Sequence, residues 1–122
     1  MLNLNSFAIG TMQPELLTEF YEKVIGKAPD MKDGDWTGWQ VGNCFLSIGK
    51  HSEMSGMSKD PARIMFNLET KEVQMEFDRI KNLGATVIKE PYEMEGMWIA
   101  TLADPDGNYF QLMSPWTDPN MN

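Results

Sequence analysis

The sequence has little histidine, cysteine and basic charge, and these shortages exclude several kinds of site. His51 is the only histidine and Cys44 the only cysteine among 122 residues, so an internal disulfide and a cysteine-rich zinc site are excluded. Lysines and arginines number 10 against 18 aspartates and glutamates, which gives a net charge of −8. Nucleic acids and anionic membranes bind basic patches, so neither is expected as a partner.

The sequence also contains neither an apolar run long enough to span a membrane nor a basic-then-apolar stretch of the kind found in leaders. We therefore expect a cytoplasmic protein. Its acidic charge favours a cationic ligand. The length fits one domain, or two half-size modules that share a core.

The most informative stretch is residues 104–108, Asp-Pro-Asp-Gly-Asn, which two short β-rich runs flank. Proline presets φ, glycine supplies a positive φ and the Asx side chains bond their own backbone, so the stretch predicts a hairpin. Turn chemistry accounts for Asp104 and Asp106 without any acid or base role. A fainter copy exists, because residues 42–48 align with residues 107–113.

Two helices are predicted from apolar residues at helical spacing. Pro14 suits the first turn of the first helix, and Gly26 is placed to end it. Thr70 is the predicted N-cap of the second helix, and Gly84 ends that helix.

Each helix follows one strand, predicted over residues 4–11 and 63–68, and precedes further strands, so the pattern is written twice. Residues 27–35 are predicted to be a loop, and Gly42-Asn43 the turn of a hairpin. The domain prediction is a single domain with module 1 at about residues 1–50, a linker at about 51–61, module 2 at about 62–115 and a tail at 116–122.

This order of strand, helix and further strands, with the late Asp-Pro-Asp-Gly-Asn turn, resembles the vicinal oxygen chelate superfamily over nearly the whole chain. That superfamily includes glyoxalase I, extradiol dioxygenases, fosfomycin-modifying enzymes and bleomycin-resistance proteins, and one scaffold serves all of these chemistries. The resemblance implies an α+β fold in which two βαβββ-type modules form a curved sheet around a cavity, with the helices outside. It also implies a homodimer.

Strand alternation predicts which side chains line that cavity. The predicted lining is Ser6, Ala8, Gly10, Cys44, Leu46, Ile48, Arg63, Met65, Asn67, Tyr109, Gln111 and Met113. In metal-dependent members of the superfamily four ligands lie there, and the resemblance maps them onto Ser6, Leu46, Arg63 (or Met65 if the register slips by two) and Gln111. None is a histidine or a carboxylate, so we expect neither a metal nor another cofactor.

The residues instead favour an apolar pocket for a small molecule, with a few polar groups and neighbouring tryptophans that can stack a flat or cationic ligand. The predicted ligand-binding residues are Ser6, Trp36, Trp39, Leu46, Arg63, Met65, Asn67, Trp98, Tyr109, Gln111 and Met113. The function predicted is that of a glyoxalase/bleomycin resistance-like protein that binds a small aromatic or cationic molecule without metal, as in antibiotic sequestration.

Three alternatives stay open. One is a metal-dependent glyoxalase-like lyase or dioxygenase, against which the missing ligands count. Another is a metal-free isomerase or lyase that uses Tyr109 or Arg63, the two catalytic candidates. The third is an accessory module that acts through a protein partner. Arg63 either holds an anionic group of a substrate or pairs with a nearby acid.

Overall fold

The computed structural model describes residues 1–115, so the predicted tail at 116–122 lies outside the described residues. The chain divides into two compact units, Met1–Met57 and Ser58–Asn122. Each unit contains a strand, a helix and three further strands, which is the predicted βαβββ order. The division between them falls inside the predicted linker.

The first unit forms a four-stranded mixed sheet in the order β1-β4-β3-β2. The outer strand β1 runs parallel to β4, and the remaining pairs are antiparallel. The elements are β1 (Ser6–Thr11), α1 (Pro14–Ile25), β2 (Met31–Asp33), β3 (Trp36–Val41) and β4 (Cys44–Lys50).

The second unit repeats this arrangement with a sheet in the order β5-β8-β7-β6. Here β5 is parallel to β8, and the other neighbours are antiparallel. The elements are β5 (Phe66–Glu69), α2 (Val73–Asn82), β6 (Thr86–Met94), β7 (Met97–Ala103) and β8 (Tyr109–Met113). Neither of the helices in the described part of the chain has the length and apolar composition to cross a bilayer.

Each sheet has a helix side, which packs on the helix of its unit, and an open side, which faces away from that helix. In the first sheet Phe7 is paired with Leu46 and Ile9 with Ile48, and in a parallel ladder such partners lie on the same side. Thr37, the antiparallel partner of Ile48, shares a 2.9 Å hydrogen bond with Thr18 of α1, which identifies this as the helix side.

The prediction that Leu46 and Ile48 line a cavity on the Ser6 side is therefore wrong. Both are buried on the helix side, with exposed fractions of 3% and 0%. The turn at Gly42-Asn43 suggested an alignment with Gly107-Asn108, and the true register of β4 against β1 differs from that alignment by one residue.

In the second sheet Phe66 and Leu68 lie on the helix side, so Asn67 between them lies on the open side, which agrees with its place in the predicted cavity lining. Their partners are Phe110 and Leu112, and the rings of Phe66 and Phe110 stack with centroids 5.8 Å apart. The buried residues of α2 are Val73, Phe77 and Ile80. Burying each such side chain contributes about 1.5–3 kcal/mol, so this layer is the main apolar support of the second unit.

Local signals place the helix ends with one exception. α1 begins at Pro14 and ends before Gly26, whose φ of 85° and N–H bond to the carbonyl of Glu22 form a left-handed C-cap. The predicted N-cap Thr70 is two residues too early, because Glu72 takes that position. The Thr70 hydroxyl instead accepts a 3.0 Å bond from the backbone N–H of Glu72, a local turn that precedes the helix.

The structure also corrects one loop prediction and one strand prediction. The predicted loop over residues 27–35 contains β2, which is held by the N–H of Asp30 donating to the carbonyl of Gly38 at 2.8 Å. The strand predicted from residue 63 starts only at Phe66. Arg63 lies in a turn, where its N–H donates to the carbonyl of Asp60 at 3.0 Å.

Candidate functional site

The open side of the second sheet carries several of the predicted polar candidates. Asn67 of β5 is paired with Gln111 of β8, and Tyr109 and Met113 lie two residues to either side of Gln111 on the same strand. The side-chain amide nitrogen of Gln111 donates to the hydroxyl of Thr101 on β7 at 3.1 Å. This bond uses one of the two N–H donors of the amide and fixes the side chain across the sheet.

The open side of the first sheet is aromatic and rich in glycine. Ser6 and Ala8 of β1 are exposed there, and their β4 partners are Phe45 and Ser47. An ideal Cβ on Gly38 would lie 2.4 Å from the ring of Phe45, so the ring rests directly on this glycine.

Trp36 lies on Gly49 in the same way, with 2.1 Å to an ideal Cβ. Phe45 and Ser47 were not among the sequence candidates, because the shifted alignment assigned them to the other side of β4. The signal that could have identified them is the alternation of β4 itself, with Leu46 and Ile48 as its apolar positions.

A turn of the first unit covers the end of β1 on this open side. The N–H of Met54 donates to the carbonyl of His51 at 3.1 Å, and Nδ1 of His51 accepts from the N–H of Glu53. An ideal Cβ on Gly10 would lie 3.0 Å from both the Cβ of His51 and the Cγ of Met54. A larger residue at position 10 would therefore require His51 and Met54 to move by a few tenths of an ångström.

The three tryptophan candidates lie in different environments. Trp36 is partly buried on the open side of the first sheet, whereas Trp39 is fully buried on its helix side and donates from Nε1 to the carbonyl of Lys27 at 3.1 Å. Trp98 is 46% exposed, but it lies on the helix side of the second sheet beside Val73, at a pocket of about 240 Å³. Of the three tryptophans, only Trp36 lies on the open side of its sheet, the side that carries the polar candidates.

The two catalytic candidates come together in one shallow pocket. Tyr109 and Arg63 both line a space of about 420 Å³, with Lys59 as a further lining residue. The guanidinium of Arg63 is 3.6 Å from the carboxylate of Asp60. Sequence reasoning missed Lys59 because it lies in the segment that was interpreted as a linker.

The positions that the resemblance assigns to metal ligands do not form a metal site of the expected kind. Leu46 is on the helix side, Arg63 is a cation in a turn, and Met65 precedes β5 with a soft thioether that suits a hard divalent cation poorly. Only Ser6 and Gln111 offer oxygen donors, and both are neutral. Within residues 1–115, no group of three or more histidine, cysteine, aspartate or glutamate side chains could hold a metal ion.

Comparison with known proteins identifies the scaffold. A family model described as a glyoxalase-like domain matches residues 6–113. A search of curated proteins gave no significant match.

Solved structures with the same fold include a glyoxalase-related enzyme from Fulvimarina pelagi, which is 16% identical, with a TM-score of 0.79 over 94% of this chain and 89% of that one. A glyoxalase/bleomycin resistance protein/dioxygenase family enzyme from Burkholderia phytofirmans PsJN is 25% identical, with a TM-score of 0.75 over 93% of this chain and 98% of that one. A glyoxalase/bleomycin resistance protein from Catenulispora acidiphila DSM 44928 is 20% identical, with a TM-score of 0.67 over 95% of this chain and all of that one.

Proposed function

Because this chain belongs to the glyoxalase-like domain family, we propose that it binds a small aromatic molecule on the open side of the second sheet, through direct contacts with protein side chains and without a bridging divalent metal. The observation that carries the proposal is the set of groups around Gln111. Two amides, a phenol and a thioether lie there, and none of them is an imidazole or carboxylate of the kind that a metal-dependent site needs.

These groups suit a flat organic ligand. The amides of Asn67 and Gln111 can each donate and accept hydrogen bonds, and the bond from Gln111 to Thr101 holds one of them in a defined position. Tyr109 and Met113 supply apolar surface on the same strand, and Met is adaptable in shape. A pocket of this kind takes its affinity from apolar contact and its orientation from a few polar groups.

Antibiotic sequestration is the role we propose for such binding. The structural relatives from Burkholderia phytofirmans and Catenulispora acidiphila carry "bleomycin resistance protein" in their names. Binding without chemical change needs no activated nucleophile and no metal, and the groups around Gln111 meet that lower requirement. A metal-free isomerase or lyase remains a prediction, and replacing Tyr109 with Phe would abolish its turnover.

The experiment is a titration of the protein with flat aromatic antibiotics, followed by backbone amide NMR shifts and tryptophan fluorescence. We expect the shifts to cluster at Asn67, Thr101 and Gln111. Gln111→Leu should weaken binding by about threefold to tenfold, because a hydrogen bond contributes about 0.5–1.5 kcal/mol net.

Gln74→Leu is the matched control. Gln74 is an exposed glutamine on α2, which packs on the helix side of the sheet, whereas Gln111 lies on the open side. Equal binding by the two variants would refute the proposed site. Absence of binding across a broad aromatic panel would refute sequestration while leaving the fold unaffected.

A further inference from the structure

We propose that the pocket formed by Lys59, Arg63 and Tyr109 binds an oxyanion, a carboxylate or phosphate group carried by the small molecule. This inference rests on the proposed function, since it names the chemical class of the ligand. An anionic group on the ligand is the opposite of the cationic ligand that the overall acidic charge favours. The reason is that the local groups around one pocket, and not the charge of the whole chain, face the bound molecule.

The pocket lies beside the turn at residues 104–108, which hydrogen bonds to Asp104 hold in place. Asp104 is 4% exposed, and its Oδ1 accepts from the backbone N–H groups of Asp106 and Asn108 at 2.9 and 3.0 Å. The carbonyl of Asp106 in turn accepts a 2.9 Å bond from the N–H of Ser58. The turn therefore fixes the start of the segment 58–63 next to β8, whose first residue is Tyr109.

Within that segment a second turn, at residues 60–63, lies between the two basic residues that line the pocket. The N–H of Arg63 bonds to the carbonyl of Asp60, and Lys59 lies immediately before this turn. Lys59, Arg63 and the Tyr109 hydroxyl can all donate hydrogen bonds, and an arginine fork matches the geometry of carboxylate and phosphate.

The existing partner of Arg63 is weak enough to be replaced. Its contact with Asp60 is 3.6 Å long, and the two side chains are 75% and 72% exposed. Exposed ion pairs of this kind contribute little to stability, so Arg63 can exchange Asp60 for a ligand oxyanion at small cost.

The balance of charge in the pocket also favours an anion. Two cations and one carboxylate line it, whereas the chain as a whole has a net charge of −8. Charges more than about 8 Å away are largely screened at physiological ionic strength, so the distant acids oppose binding only weakly.

The pocket and the open side of the second sheet can serve one ligand. Tyr109 and Gln111 are two residues apart on β8, so their side chains lie on the same side, about 7 Å apart along the strand. An aromatic ring held near Gln111 can therefore place an attached oxyanion beside Tyr109 and Arg63.

The test compares four probes of similar size, phenyl phosphate, benzoate, phenol and benzyl alcohol, by calorimetry and amide NMR. We expect both anions to bind at least about tenfold more tightly than their neutral counterparts, with shifts at residues 59–63 and at Tyr109, because hydrogen bonds to charged groups are the stronger kind. The advantage should shrink as salt is added. The ratio between phenyl phosphate and benzoate tells which oxyanion the pocket prefers.

Matched variants separate a specific pocket from general charge. Arg63→Gln should lower the affinity for the preferred anion by about tenfold or more, whereas Arg79→Gln, which removes the other arginine at its ion pair with Glu76, should leave it unchanged. Lys59→Gln and Lys81→Gln form a second pair with the same expectation. Tyr109→Phe should cost about threefold to tenfold, and a melting curve checks the fold of each variant.

Two outcomes would overturn the inference: equal binding of the anionic and neutral probes, or equal losses in Arg63→Gln and Arg79→Gln. Failure of the proposed function looks different. If phenol and the neutral aromatics shift Asn67 and Gln111 but phenyl phosphate gains nothing, the function stands and the oxyanion pocket fails. If the anions shift only residues 59–63, and no ring contact reaches Gln111, the pocket exists but the proposed function is wrong.

Discussion

Asp104 illustrates how one buried carboxylate can be structural and not catalytic. Its two oxygens accept four hydrogen bonds, from the N–H groups of Asp106 and Asn108 and from the Asn108 side-chain amide at 3.2 and 2.9 Å. A carboxylate engaged in this way closes the turn between β7 and β8. The sequence interpretation of residues 104–108 as a turn motif agrees with this geometry.

Removal of the Asp104 side chain should destabilise the fold. We expect Asp104→Ala to lower the free energy of unfolding by about 2–4 kcal/mol, because buried N–H groups lose their acceptor. Urea unfolding measures the change, with Asp35→Ala at an exposed position as the control. A loss of less than about 0.5 kcal/mol, typical of surface substitutions, would contradict this account of the turn.

At the scale of the elements, the first sheet depends on aromatic rings that lie on glycines of the neighbouring strand. Gly49 of β4 has no room for a side chain while Trp36 of β3 occupies the space above it. The ring compensates for the missing side chain and keeps the strand covered on its open side. Glycine and ring are therefore predicted to be coupled.

A double-mutant cycle tests this coupling. Gly49→Ala should destabilise the protein by about 1–3 kcal/mol, since the ring must move from its place. In a Trp36→Leu background the same change should cost much less, because the shorter side chain leaves space for the methyl group. Additive effects of the two substitutions in thermal or urea unfolding would show that the contact has no energetic importance.

The short strand β2 is tied to β3 by Asp30, and this tie should depend on pH. The carboxylate of Asp30 accepts from Nζ of Lys27 at 2.8 Å and from the N–H of Gln40 at 2.7 Å. The hydrogen bond from Lys27, followed by the one from Gln40, lowers the pKa of Asp30 from its ordinary value of 3.8. Because this pKa is lower in the folded state than in the unfolded state, the charged carboxylate of Asp30 stabilises the folded protein.

The stabilisation is therefore present above pH 3.8 and is lost as the pH falls from there through the lower pKa of the folded state. Asp30→Asn should reduce Tm at neutral pH, and the difference from the parent protein should shrink as the pH is lowered below 3.8. Asp35→Asn, on an exposed residue of the same hairpin, controls for the loss of one charge. A difference in Tm that stays constant down to acid pH would contradict the proposed tie.

At the scale of the whole molecule, two βαβββ units provide the scaffold of the glyoxalase-like family, while the side chains differ from those of a metal enzyme. The assigned ligand positions include a leucine on the helix side of its sheet and an arginine in an exposed ion pair. The fold therefore does not by itself imply the metal chemistry found elsewhere on it.

We accordingly expect that nickel, zinc or manganese will not raise the Tm of chelator-treated protein. A ligand that binds only the folded state at about a hundred times its Kd adds about 2.7 kcal/mol of stability, so a real site would be visible as a higher Tm. A rise in Tm that EDTA reverses and that Gln111→Leu abolishes would refute the metal-free interpretation.

Apart from β2, which falls in the predicted loop, the sequence by itself determined the order of elements, most helix ends and the two hairpin turns. These depend on local chemistry: proline at the first turn of α1, glycine after its end, and apolar residues at helical or alternating spacing. The repeat of that order in residues 6–50 and 66–113 was also visible in the sequence, since each half contains the same local signals.

Only the tertiary structure decided which side chains of β4 meet the helix of the first unit. Alternation divides a strand into two sets but does not tell which set meets the helix, and the parallel register of β4 with β1 placed Leu46 inside and Ser47 on the open side. The same holds for Arg63. Its place beside Lys59 and Tyr109 depends on a turn held from a distance by Asp106, and such long-range contacts leave no signal in the neighbouring sequence.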